Sequence, residues 1–171
     1  LELMDTYGTD ALRFTLAALA VQGRELKLAE SRVEGYRNFA TKLWNAARFC
    51  QINGCEPDPG FDPWACQLTL NRWIIDRAEE VLGQVDRALV SYKFNEAANA
   101  LYQFTWGTFC DWYLEFSKPV FLGTDESVAA ETRTTAAWVL DRILILLHPF
   151  MPFVTEELWA ETERPAMLIS T

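Results

Sequence analysis

The chain predicts an all-α fold, an antiparallel helical bundle, and three observations carry that prediction. Apolar residues recur at three- and four-residue spacing through several long stretches, the period of a helix buried on one face. The links between these stretches are short and marked by Gly, Pro, Asn and Asp. Half of the 171 residues are hydrophobic, including seven tryptophans, five tyrosines and eleven phenylalanines, ample material for a large core.

The elements follow in order. Asp10 is a candidate N-cap for ALRFTLAALAVQ, with Gly8 loosening the entry and Gly23 closing the helix. ELKL, residues 25–28, alternates and suggests a brief extended segment. A second helix runs from Ala29 to about Ile52 and stops at Asn53-Gly54. CEPDPGFDPWAC (55–66), with three prolines and a glycine, is a loop. A third helix covers about Gln67 to Tyr92, with Trp73, Ile74, Ala78, Val81, Val85 and Ala88 at helical spacing. Phe94-Asn95 is a corner. A fourth helix runs from about Asn95 to Ser117 and Pro119 ends it; Leu101, Tyr102, Thr105, Phe109, Trp112, Tyr113 and Phe116 form a wide aromatic face. After a turn at 123–127, a fifth helix spans about Val128 to Leu147 and His148-Pro149 stops it. Thr155 is placed to cap a last short helix, EELWAET, whose Glu156 and Glu157 suit the positive end of its dipole. Long helices joined by short links imply antiparallel neighbours.

Composition narrows the function. With 24 acidic and 15 basic side chains the formal net charge is -9, which argues against indiscriminate nucleic-acid binding but leaves room for a focused basic patch. No apolar run approaches the ~18 residues of a membrane span, and the opening residues LELMDTYGTD do not read as a secretory signal. The first residue is not Met, as expected of a piece of a longer protein. Cys50, Cys55, Cys66 and Cys110 lack metal-ligand spacing, and the single histidine, His148, is remote; all four cysteines read as reduced and structural. Phosphate-cradling, nucleophile-elbow and Glu-x-x-His patterns are missing, so no residue is assigned a catalytic role. His148 reads as a packing or capping residue, and Asp111, Glu115 and Lys118 as a solvated ion-pair cluster.

One segment departs from the acidic background. YRNFATKLWNAARF, residues 36–49, carries Arg37, Lys42, Arg48, Asn38 and Asn45 and no carboxylate. At about 100° per residue, Tyr36, Phe39, Ala40, Leu43, Ala46, Ala47 and Cys50 share an apolar arc. Arg37, Thr41, Asn45 and Arg48 form an outward stripe, flanked by Asn38, Lys42 and Phe49, with Trp44 at its edge. By spacing alone this is either a solvated helix face or a surface for RNA, where cations meet phosphate, amides meet base edges and rings stack on bases.

Four segments, kept in order, resemble the class I aminoacyl-tRNA synthetases. DTYGTDALRFTLA (5–17) resembles the stretch after the KMSKS loop of that class, and YRNFATKLWNAARF the first long helix of the anticodon-binding domain. FNEAANALYQFTWGTFCDWYLEFSKP (94–119) is similar to a later helix, and HPFMPFVTEELW (148–159) to the closing element of the Ile/Val/Leu subgroup. KLWNAARF and FCDWYLE point to the valyl branch; an isoleucyl-type module, or a helical protein dock without an RNA role, are the alternatives. The resemblance implies a connector from a catalytic domain over residues 1–28 and an anticodon-binding bundle over 29–171. It implies binding of the tRNA(Val) anticodon stem-loop, with Arg37, Asn38, Lys42, Asn45 and Arg48 as RNA contacts and Trp44 and Phe49 as stacking platforms. Arg72 and Lys93 are weaker additions. For the parent enzyme it implies ligation of valine to tRNA using ATP with magnesium, a cytoplasmic location, a monomeric state, and catalytic and C-terminal domains in the same chain. No cofactor is expected in this fragment, which should be inactive alone.

Overall fold

The computed structural model describes residues 2–21, 28–162 and 166–170, and among these every regular element is helical. The chain opens with α1 (Glu2–Tyr7) and α2 (Thr9–Leu19), which Gly8 joins at φ 88°, a left-handed angle that favours glycine. Asp10 does not cap its own helix, as the sequence suggested. It lies in the first turn of α2, where its carboxylate accepts from the backbone N–H of Phe153 (3.3 Å) and Val154 (2.6 Å). Asp10 therefore caps another helix, α8 (Pro152–Ala160), from across the molecule. Phe14, on the inner side of α2, is fully buried against Tyr36, Phe39 and Phe150. Helix α2 ends at Leu19, earlier than the pattern implied; Gly23 and residues 25–27 of the suggested extended segment lie outside the described residues.

Helix α3 (Glu30–Ile52) matches its expected span, and Gly54 at φ 70° follows it. The proline-rich loop is folded on its own side chains: Asp58 accepts from the Gly60 N–H, and Asp62 accepts from the Trp64 N–H to cap a 3-10 turn at Pro63–Ala65. Helix α4 (Thr69–Val90) then buries Ile74, Ala78, Val81, Val85 and Ala88. Its start is capped by Glu131 of α7 (Glu126–Leu147), which accepts from Gln67 N (2.9 Å), Leu68 N (3.0 Å) and Asn71 Nδ2 (2.8 Å). Burial opposes the charge on Glu131, but these three donors outweigh it and hold the carboxyl below its ordinary range.

The predicted fourth helix is a composite. It runs as α5 (Phe94–Tyr102), widens to π-helical winding over Gln103–Tyr113, and returns to α-helix as α6 (Leu114–Phe121). Bonds from i to i+5 reduce the angle per residue, so the aromatic face is divided between the core and solvent. Phe104 and Cys110 turn inward and are buried, whereas Trp112 (58 % exposed) and Phe116 (50 % exposed) turn out to solvent. Pro119 does not end the rod either. The helix continues to Phe121, whose burial beside Phe49 holds the last turn despite the missing N–H.

Helix α7 starts at Glu126, two residues early, because Asp125 caps it by accepting from Ser127 N and Val128 N. Thr155 is not the cap of the last helix. Helix α8 begins at Pro152, a favoured first position, and Thr155 is buried inside it. Its hydroxyl donates to the Met151 carbonyl at 2.9 Å and meets His148 Nδ1 at 2.8 Å, giving His148 a packing role. Glu156 accepts from Leu168 N and Ile169 N, pinning the turn at Leu168–Ser170.

One aromatic core unites α2 with α3 through α8. Helix α2 lies between α3 and α5, and α4 packs on α5 and α7. The four cysteines are free and buried. No helix among the described residues is long and apolar enough to cross a membrane.

Candidate nucleic-acid interface

Helix α3 divides as its periodicity requires. Phe39, Leu43, Ala46 and Cys50 are buried, and Tyr36, Ala40 and Ala47 are packed beside them. Arg37, Asn38, Thr41, Asn45 and Arg48 are exposed. Thr41 donates its hydroxyl to the Arg37 carbonyl at 3.2 Å, closing back on its own helix. Neither Arg37 nor Arg48 has an ion-pair partner among the described residues. Two guanidinium groups with free forks, and two carboxamides between and beside them, thus lie along one solvent face.

The remaining candidates are placed differently from one another. Lys42 is half-buried, its Nζ 2.7 Å from Asp111 Oδ1 in the π-helical segment and 5.7 Å from the Trp106 ring centre. The hydrogen bond to Asp111, set against a smaller cost of burial, raises its ammonium pKa above the ordinary lysine value. Lys42 is therefore not a free cation: any phosphate it meets competes with a carboxylate already in place. Trp44 is half-buried on the core and, with Arg48, Gln51, Glu56, Pro57 and Pro59, lines a cleft of about 610 Å³. Phe49 is half-buried too, its ring 6.1 Å from that of Phe121 and 5.9 Å from Lys118 Nζ. Lys118 already covers Phe49, so a base stacking there would have to move it. Arg72 is exposed at the start of α4, while Lys93, before α5, is paired with Glu96 at 2.9 Å.

The expected cluster of Asp111, Glu115 and Lys118 is split. Lys118 Nζ lies 2.7 Å from both Glu115 oxygens, whereas Asp111 reaches across to α3. The π-helical winding takes Asp111 out of line with Glu115, and no local spacing signals a pair 69 positions apart. Asp111, Trp106 and Lys118 are the neighbours of the α3 surface that sequence reasoning missed. Burial raises the Cys110 thiol to about 12, partly offset by Lys42, so it stays protonated behind that pair. No cluster of side chains able to hold a metal ion occurs among the described residues.

Comparison with known proteins gives this surface a context. The family described as the anticodon-binding domain of tRNA ligase matches residues 71–171. The chain is similar to the valine--tRNA ligase of Rhodopseudomonas palustris, 59 % identical over 162 residues that make 95 % of this chain and 17 % of that protein. It is similar to the valine--tRNA ligase of Nitrobacter winogradskyi, 58 % identical over 172 residues, 100 % of this chain and 18 % of that protein. The chain thus spans less than a fifth of the length of these relatives. Among solved structures, it superposes on the LeuRS of Agrobacterium radiobacter K84, crystallised as a ternary complex with tRNA and LeuAMS. The TM-score is 0.76 and the identity 20 %, over 98 % of this chain and 20 % of that one, a likeness of fold.

Proposed function

Since this chain belongs to the anticodon-binding domain family of tRNA ligases, we propose that it is the part of a valine--tRNA ligase that docks the anticodon stem-loop of tRNA(Val). The single observation that supports the docking site is the outward face of α3. It presents Arg37 and Arg48 without ion-pair partners among the described residues, and Asn38 and Asn45 beside them, in a chain whose net charge is -9. Anticodon bases are unpaired, so their edges and faces are open to such groups. The guanidinium groups take backbone phosphates and set register; the carboxamides, Lys42 and the rings of Trp44 and Phe49 meet bases. The acidic remainder of the surface repels RNA elsewhere and confines docking to this face.

The relatives' names favour the valyl branch over the isoleucyl one. In this reading the longer protein attaches valine to tRNA with ATP and magnesium in the cytoplasm, acts as a monomer, and uses residues 1–28 to join this bundle to its catalytic domain. The chain itself supplies recognition and no chemistry. Titrating a labelled anticodon stem-loop with the wild-type chain and with Arg37→Ala/Arg48→Ala, by fluorescence anisotropy, tests the docking face. The double variant should bind at least tenfold more weakly; equal binding by the two proteins refutes the assignment.

A further inference from the structure

Asp111 is the carboxylate that another element delivers onto the cationic helix α3, its Oδ1 2.7 Å from Lys42 Nζ. A neighbour of that surface, Glu115, has both oxygens 2.7 Å from Lys118 Nζ, so each of them already accepts from an ammonium. Asp111 differs in its free oxygen and not in exposure: the two side chains are 44 % and 56 % exposed, but Asp111 Oδ2 has no hydrogen-bond partner among the described residues. The result is a fixed pair facing solvent, an ammonium with donors to spare and a carboxylate oxygen with its lone pairs open.

A carboxylate near a basic RNA face is costly if its only neighbour is to be phosphate, because like charges repel. It is useful if its neighbour is a base. An ionised carboxylate only accepts hydrogen bonds. It therefore receives the exocyclic amino group of cytosine or adenine, and it opposes the keto oxygen that uracil carries in place of the cytosine amino group. Resting on the docking function proposed above, we infer that Asp111 is a specificity-determining residue that accepts the amino group of an anticodon cytosine and rejects uracil. Lys42 holds the carboxylate in position, and Arg37 and Arg48 hold the backbone. The distinction has a use in the code: valine and isoleucine codons differ in their first letter, so their anticodons differ in the third, cytosine against uracil.

The test uses two labelled anticodon stem-loops that differ only in C or U at that third letter, titrated with the full 171-residue chain. Wild type favours the C loop by about tenfold. Asparagine offers both a donor and an acceptor, so Asp111→Asn brings the two affinities within about twofold, mainly by tightening the U loop. Glu115→Gln keeps the wild-type ratio. Lys42→Met weakens both loops and narrows the preference for C, because the carboxylate loses the ammonium that positions it. Each variant provides its own ratio, so a loss of folded fraction cancels. Equal binding of both loops by wild type, an unchanged ratio in Asp111→Asn, or a ratio abolished by Glu115→Gln overturns the assignment. If Arg37→Ala/Arg48→Ala weakens both loops while Asp111→Asn leaves the ratio intact, the docking face stands and the role of Asp111 falls. If no variant alters binding, or neither loop binds, the docking function falls and Asp111 with it.

Discussion

Arg48 and Lys42 sit six residues apart on one helix, yet they have different freedom. Arg48 is exposed without an ion-pair partner among the described residues, and Lys42 is tied to Asp111. A pair this exposed contributes little to stability, about 1 kcal/mol at most. Lys42→Ala should therefore lower the melting temperature by no more than about 2–4 °C while weakening stem-loop binding, which a thermal melt beside an anisotropy titration checks. Salt separates the roles further. Each phosphate contact adds about 0.7 to the slope of log affinity against log salt for single-stranded RNA. Removing Arg37 and Arg48 should reduce that slope by about 1.4, and Lys42→Ala by less, because its charge is already compensated. A slope unchanged in the double arginine variant would place the phosphates elsewhere.

Elements in this bundle are terminated by one another. Asp10 of α2 caps α8, and Glu131 of α7 caps α4. Loss of a side-chain cap costs about 1–2 kcal/mol. Asp10→Ala should lower the urea midpoint accordingly, and hydrogen exchange should show the first turn of α8 opening before α3; uniform protection loss would contradict a local cap. Glu131 adds a pH signature. Its folded carboxyl sits below the ordinary value of 4.5, so its stabilisation is complete above that pH and is lost as pH falls through the lower folded value. The difference in urea midpoint between wild type and Glu131→Gln should be constant from pH 7 to 5 and shrink on acidification below about 4.5. A difference that grows on acidification would reverse the sign of this account. Both caps were invisible in sequence because they span at least 143 and 63 positions, and capping patterns are read over three or four.

At the scale of the whole molecule, Phe14 decides how much of the chain is one folding unit. Its ring is fully buried against Tyr36, Phe39 and Phe150, so α2 shares the core of the helices that follow. Phe14→Ala should cost about 3–5 kcal/mol and preserve a single transition in denaturant, followed by near- and far-ultraviolet circular dichroism. Two separated transitions would instead mark α2 as an independent piece.

The amino-acid sequence by itself determined the helical class, the spans of α3 and α7 to within a residue or two, and which face of α3 turns outward. These depend on periodicity and local turn chemistry, which act over a few neighbouring residues. Kinship was legible too, in KLWNAARF and FCDWYLE, because a family resemblance is carried by linear segments. Tertiary structure alone decided the rest: the π-helical winding that turns Trp112 and Phe116 outward, the continuation past Pro119, the caps from Asp10 and Glu131, and the meeting of Lys42 with Asp111. Each of these depends on which side chains compete for the same buried space or the same unpaired N–H, and that competition exists only once distant helices are packed together.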